Sequence, residues 1–158
     1  MKTQKVDLDK IITDENITYD SEMLVLQTGY CKIISVAENK VRINAKDDPY
    51  LLTILEHINK RYLTNVGEEI LKKYYSDVIP PKSKALPKWV KKLYFPILYD
   101  NTDFYVTLNP KTEIFDYSRN PIKEVKKGLE ARLILTFQPW HSNTGFSVKI
   151  IPYQIQIN

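Results

Sequence analysis

A chain of 158 residues, 43% apolar and carrying a net charge of +4, is sized for one domain around one core, and its longest apolar runs fall far short of the roughly 20 residues that cross a bilayer. The opening residues, Met1-Lys2-Thr3-Gln4-Lys5-Val6-Asp7, contain no apolar block of the kind that directs secretion, so an intracellular, non-secreted protein without a membrane partner is expected. A single cysteine, Cys31, excludes an internal disulfide, and with only His57 and His141 beside it no zinc-ligand set can be assembled; neither a metal nor a cofactor is expected.

Residues 1–20 show no sustained period, and Thr13-Asp14-Glu15-Asn16 is turn chemistry, which predicts a flexible N-terminal arm ahead of a single domain over 21–158. Met23 to Gln27 and Tyr30 to Val36 are β-rich runs separated by Thr28-Gly29. Ala37-Glu38-Asn39-Lys40 then turns the chain into a third strand, Val41 to Asn44. Asp48-Pro49 opens a helix with a capping carboxylate and a proline at the first helical position, where no N–H is missed. Leu51, Ile54, Leu55, Ile58 and Tyr62 follow at spacings of three and four and define a core-facing stripe. A second helix is expected over about 66–75, with Ile70, Leu71 and Tyr74 facing inward and Gly67 weakening its start. Pro80-Pro81 ends the helical region. The lysine-rich stretch from Lys82 to Lys92 reads as an exposed connection with one short turn over Lys88 to Leu93, so the helical insertion spans about 48–92.

Strands are expected again over Tyr94 to Tyr99, Phe104 to Leu108 and Thr112 to Tyr117, followed by a helical turn at Ile122 to Lys127. The chain closes with a long hairpin from Gly128 to Ile157. In its first strand Leu129, Ala131, Leu133, Leu135 and Phe137 share one face, while Glu130, Arg132, Thr136 and Gln138 take the other. Pro139 to Gly145 link it to a return strand whose apolar set shifts parity, from Phe146, Val148 and Ile150 to Ile151, Tyr153, Ile155 and Ile157. Keeping both halves buried requires a bulge or bend near Pro152. Strand runs on either side of a helical insertion predict an α+β fold: a small curved antiparallel sheet or oligonucleotide-binding (OB) barrel with a two-helix insertion.

Catalytic chemistry is thinly represented. The four glycines are widely spaced and none precedes a Lys-Ser/Thr pair, so no phosphate-cradling loop exists. Cys31 lies in an apolar strand pattern where an inert buried thiol is the simpler reading, and His57 and His141 read as solvated side chains. Asp100, Asp103, Glu113 and Asp116 lie near strand ends, where a metal-dependent nuclease would hold Mg²⁺. Carboxylates near turns are also commonplace.

Binding chemistry is richer. Between Lys72 and Lys92 stand seven lysines and one acid, Asp77, so the whole positive excess lies in this segment, interleaved with Tyr74, Tyr75 and Trp89 and followed by Tyr94 and Phe95. Cations for a phosphate track together with aromatic faces for bases are what sequence-independent binding of single-stranded nucleic acid requires. One candidate wall is Lys82, Lys84, Lys88, Trp89, Lys91, Lys92 and Tyr94. A second is Lys123, Lys126, Lys127 and Arg132, with Trp140 and Phe146 at the hairpin tip as stacking platforms. Solvated lysines and a Trp89 that plugs the core are the competing readings for single members of these sets.

Two stretches carry a family resemblance. Ala131-Arg132-Leu133-Ile134-Leu135 through Trp140, Gly145-Phe146 and Lys149 to Gln154-Ile155 is similar to the last strand pair of the single-stranded DNA-binding proteins of large DNA viruses, including the poxvirus family, and more distantly of phages. Pro49-Tyr50-Leu51-Leu52-Thr53-Ile54-Leu55-Glu56 resembles a Leu-rich helix of the poxvirus proteins. The resemblance covers at most about a third of the chain and implies an OB fold and a non-catalytic protein that coats single-stranded DNA in replication or recombination, in the host cytoplasm or nucleus. The partners it implies are single-stranded DNA, with RNA as an alternative polymer, further copies of the chain along the strand, and replication proteins. Many such proteins end in an acidic tail that recruits those partners and competes for the groove. The residues up to Asn158 contain none, so either that regulation is absent, the acidic-leaning first 22 residues replace it, or the sequence has been shortened. The alternatives kept beside this reading are a protein-interaction or structural module and the metal-dependent nuclease.

Overall fold

A computed structural model of the chain describes residues 3–77 and 86–158. After a single 3-10 turn at Leu8–Lys10 come strands β1 (Ile11–Thr13), β2 (Ile17–Tyr19), β3 (Glu22–Met23), β4 (Val25–Ala37) and β5 (Lys40–Asn44). Helices α1 (Pro49–Tyr74) and α2 (Leu86–Leu93) follow, then β6 (Asp103–Thr107), β7 (Glu113–Asp116), β8 (Glu130–His141) and β9 (Phe146–Ile157). The main sheet has the order β6-β5-β4-β8-β9-β7, all pairs antiparallel except β7 with β9. It curls until β6 lies close to β9, so β4, β5, β6, β9 and β8 form a rolled five-stranded barrel in the OB-like α+β class, with the helices inserted between β5 and β6.

The curl is built from bulges. Thr28-Gly29 does not separate two strands but lies within the single strand β4, where the pairing with β8 shifts register between Gln27 and Tyr30. The Thr28 hydroxyl oxygen accepts the Leu133 amide, which the bulge would otherwise leave unpaired. The bend expected near Pro152 is present: Ile134 pairs with Gln154 and Leu135 with Pro152, leaving Tyr153 as the extra residue. Phe146, Val148, Ile150 and Pro152 are therefore buried before it and Ile155 and Ile157 after it, while Tyr153 itself faces solvent rather than the core.

Helix α1 begins as its cap chemistry requires, with Asp48 accepting the Leu51 amide. It runs through Gly67 as one helix where two were expected, because the buried stripe continues beyond Tyr62 through Val66, Ile70 and Leu71. Gly67 lies on that stripe, where Val90 of α2 approaches so closely that an added Cβ would stand 2.7 Å from its Cγ1. Burying each large side chain of the stripe contributes on the order of 1.5–3 kcal/mol.

Three other expectations change. Within residues 1–20, read as an arm, lie strands β1 and β2, which β3 completes into a small sheet with Ile11 and Ile17 buried. Strands of two or three residues are too short to display a period. Tyr94 to Tyr99 is not a strand; it touches the sheet through single bridges, Tyr94 with Phe146 and Tyr99 with Asp103. The 122–127 segment is irregular rather than helical, held by Val125 in the core and by the Ile122 amide on the Ile114 carbonyl. Among the described residues no helix is long and apolar enough to cross a membrane.

Candidate nucleic-acid interface

Where the curled sheet nearly meets itself, a groove of about 490 Å³ opens between β6 and the start of β9. Its side chains come from four places: Asn39 and Lys40 from the β4–β5 turn, Tyr105 and Thr107 from β6, Trp140 and Lys149 from the closing hairpin, and Phe95 to Tyr99 from the chain after α2. Strand parity puts these groups outside. Phe104 and Val106 are buried, so Tyr105 between them points away from the core, and Lys149 stands likewise between Val148 and Ile150. Phe95, Tyr99 and Tyr105 are 41, 39 and 37% exposed.

The rings form two pairs. Phe95 lies nearly parallel to Trp140, with centroids 6.1 Å apart, and Tyr99 meets Tyr105 edge to face at 5.2 Å. The Lys149 ammonium stands 5.9 Å from the Trp140 ring centre, so cation and stacking surface are adjacent.

Phe95 is held from beneath. Its amide donates to the Phe146 carbonyl at 2.9 Å and its carbonyl accepts the Ser147 hydroxyl at 2.5 Å. Gly145 lets this segment come close, since a Cβ there would lie 2.3 Å from the Leu93 carbonyl oxygen and 2.5 Å from the Phe95 ring. The hairpin tip is pinned by the Tyr75 hydroxyl, which lies 2.5 and 2.6 Å from the Ser142 and Gly145 carbonyl oxygens. Asn59 of α1 accepts both the Tyr94 hydroxyl at 2.6 Å and the Ile97 amide at 3.0 Å, and so fixes the other end of the segment.

Leu93 to Phe95, the residues that follow the lysine-rich middle, thus pack on Gly145 and Phe146 at the end of the tryptophan turn. Not every residue expected at the site takes part. Phe146 is fully buried among Tyr62, Tyr75 and Tyr94, and Tyr94 is 7% exposed; neither can stack on a base, and both are corrected to core residues. Burial, with Tyr62 and then Glu56 nearby, pushes the Tyr94 hydroxyl pKa up, and the Tyr62 hydroxyl is pushed up to about 12. Lys88, Lys91 and Lys92 are exposed on α2 outside the groove lining. Trp89 is half-buried against the core, with the Lys92 ammonium 4.6 Å from its ring. Lys82 and Lys84 lie outside the described residues. Lys123, Lys126 and Lys127 are exposed on the β7–β8 connection and do not form a second wall. Arg132 points outward from β8 over Tyr30 and donates to Gln156 at 2.5 Å. It lines a different cleft, with Gln27, Phe115, Tyr117 and Arg119, that shares no residue with the groove.

Sequence reasoning missed Lys40, Tyr99, Tyr105 and Lys149 as groove residues and did not single out Phe95. Alternation within their strands is the signal that could have marked Tyr105 and Lys149 as outward-facing, but which outer face is concave depends on the curl.

The carboxylates considered for metal binding are engaged elsewhere. Asp103 accepts from Arg42 Nε at 2.6 Å, from Asn44 at 2.6 Å and from Thr102 at 3.0 Å. Burial pushes its pKa up, but these hydrogen bonds and the Arg42 charge outweigh that and hold it below the usual carboxylate value. Asp116 accepts the Ser118 and Asn120 amides of its own turn, and Gln154 donates to Glu113 at 3.2 Å. Among the described residues no three His, Cys, Asp or Glu side chains are grouped to hold a metal ion. Cys31 is buried, and burial first, then Asp48, pushes its thiol up to about 12.

No family model matches this chain, and no curated protein matches it. Solved structures do. The gp2.5 single-stranded DNA binding protein encoded by bacteriophage T7 superposes with a TM-score of 0.54 at 12% identity, covering 84% of this chain and 90% of its own. A C-terminal truncation of the single-stranded DNA-binding protein from bacteriophage Enc34 gives 0.51 at 9% identity, with 95% of each chain covered. The same Enc34 protein in complex with ssDNA gives 0.50 at 9% identity, covering 95% of this chain and 96% of that one. At these identities the likeness is one of fold.

Proposed function

We propose that this protein binds single-stranded DNA in the groove between β6 and β9, with little preference for sequence, as a non-catalytic coat in replication or recombination. The observation that carries the reading is the groove itself: four aromatic rings, Phe95, Tyr99, Tyr105 and Trp140, with Lys40 and Lys149 among them. Every base has a π-face, so rings hold bases without reading them, and each stacked base contributes on the order of 1–3 kcal/mol. The lysines neutralise phosphates and release counterions. Support also comes from the fold shared with the phage proteins, one of them solved with ssDNA bound. That likeness favours the phage side of the viral resemblance over the poxvirus side.

RNA is the alternative polymer. The exposed lysines of α2 and of the 122–127 segment would extend the phosphate track beyond the groove, and further copies along the strand and replication proteins belong to the same reading.

The test is a titration of the intact chain with a labelled single-stranded oligonucleotide and with its duplex, at two salt concentrations, with and without Mg²⁺. The expected result is single-strand binding that weakens with salt, with no cleavage. Absence of binding would favour a protein-interaction module, and Mg²⁺-dependent cleavage a nuclease.

A further inference from the structure

On the outer face of β5, one register step from the groove, Arg42 pairs across the sheet with Tyr105, a groove-lining ring, and its guanidinium carbon stands 5.7 Å from that ring's centre. Two carboxylates hold the guanidinium, and they differ in kind. Asp103 grips Nε at 2.6 Å from a side chain 9% exposed and is itself anchored by Asn44 and Thr102. Asp100 meets NH2 at 3.1 Å from a side chain 85% exposed, with no other hydrogen bond to its carboxylate among those described. Asp100 reaches that point because it and Asn101 adopt positive φ, 52° and 62°, in the turn between Tyr99 and Asp103. A guanidinium presents the same donor fork to a carboxylate and to a phosphate. The Nε edge of Arg42 is therefore held by a buried carboxylate, while its outer edge meets an exposed one, with NH1 3.5 Å from the hydroxyl of the groove-lining Tyr105.

We infer that Arg42 is a phosphate subsite of the groove, which the free protein fills with the carboxylate of its own Asp100 and which a phosphodiester of the bound strand takes over by displacing it. Asp103 is then a positioning residue that keeps the guanidinium aimed whichever anion occupies its outer edge. Asp100 acts as an internal competitor, so groups too weak to displace it, such as isolated monoanions, are turned away. The inference rests on the groove being the nucleic-acid site.

The experiment is a double-mutant cycle on oligonucleotide affinity at low salt, with Asp100→Asn, Arg42→Gln, the double variant, and Arg42→Lys as a charge-retaining check. Each fold is verified by circular dichroism. Asp100→Asn should tighten binding about two- to fivefold, the strength of an exposed ion pair. Arg42→Gln should weaken it, Arg42→Lys should weaken it less, and the double variant should bind like Arg42→Gln alone. An Asp100→Asn chain that binds as wild type does, or that gains equally with Gln at position 42, overturns the subsite. A wild-type chain that does not bind at all overturns the groove assignment and the subsite with it.

Discussion

Trp140 and Trp89 look alike in the sequence and are placed for different work. Trp140 lies in the groove, parallel to Phe95 and beside Lys149, whereas Trp89 packs one side of α2 against the core. Replacing Trp140 by alanine is expected to weaken oligonucleotide binding by about 1–3 kcal/mol, the contribution of one stacked base, with a small change in melting temperature. Replacing Trp89 should instead cost roughly 1–3 kcal/mol of stability through lost packing and leave affinity closer to wild type. Paired binding and denaturation curves on both variants separate the roles. Asp103 makes a pH prediction. Its folded-state pKa lies below the unfolded value, so its contribution to stability is present above the unfolded pKa of about 3.9 and is lost as pH falls through the folded value. Urea midpoints for wild type and Asp103→Asn should differ at neutral pH and converge below about pH 4.

The closing hairpin and the 93–97 segment act as one unit. Tyr75 clamps the tip from just beyond the end of α1, Asn59 holds the segment, and Gly145 is the space between them. Gly145→Ala must push the Leu93 carbonyl or the Phe95 ring aside, and overpacking of this kind costs typically about 1–3 kcal/mol. Because Phe95 moves, binding should suffer along with stability. Tyr75→Phe keeps the packing but removes the hydroxyl, which should cost about 0.5–1.5 kcal/mol. Hydrogen exchange should then show faster exchange at the Ser142 amide, whose acceptor is the Gly145 carbonyl. The longer elements were legible where they repeat: β8 alternates from Glu130 to Gln138, and α1 shows its stripe from Leu51 to Tyr62, although its continuation to Leu71 was expected as a second helix. β1, β2 and β3 are too short for that, and Gly67, read as a weak point, proved to be where α2 packs.

At the scale of the whole molecule, the groove exists only because β6 comes round to β9. No local pattern encodes that approach. The sequence pointed to cations beside aromatic faces and to the closing hairpin, and the groove is lined by both. It assigned part of the site to Tyr94 and Phe146, which the closure buries, and passed over Tyr99 and Tyr105, which the closure brings to the rim. With Lys40, Lys149 and Arg42 each on a phosphate, the logarithm of the binding constant should fall by at least about 2 per tenfold rise in salt, from a slope of about 0.7 per phosphate for single strands, and more steeply where the lysines of α2 and the 122–127 segment extend the track. The most direct test is one equilibrium titration of a labelled single-stranded oligonucleotide against wild type and a Tyr105→Ala/Trp140→Ala variant of unchanged fold. The groove account predicts saturable binding by wild type and at least a tenfold loss in the variant; a variant that binds as tightly as wild type would contradict it.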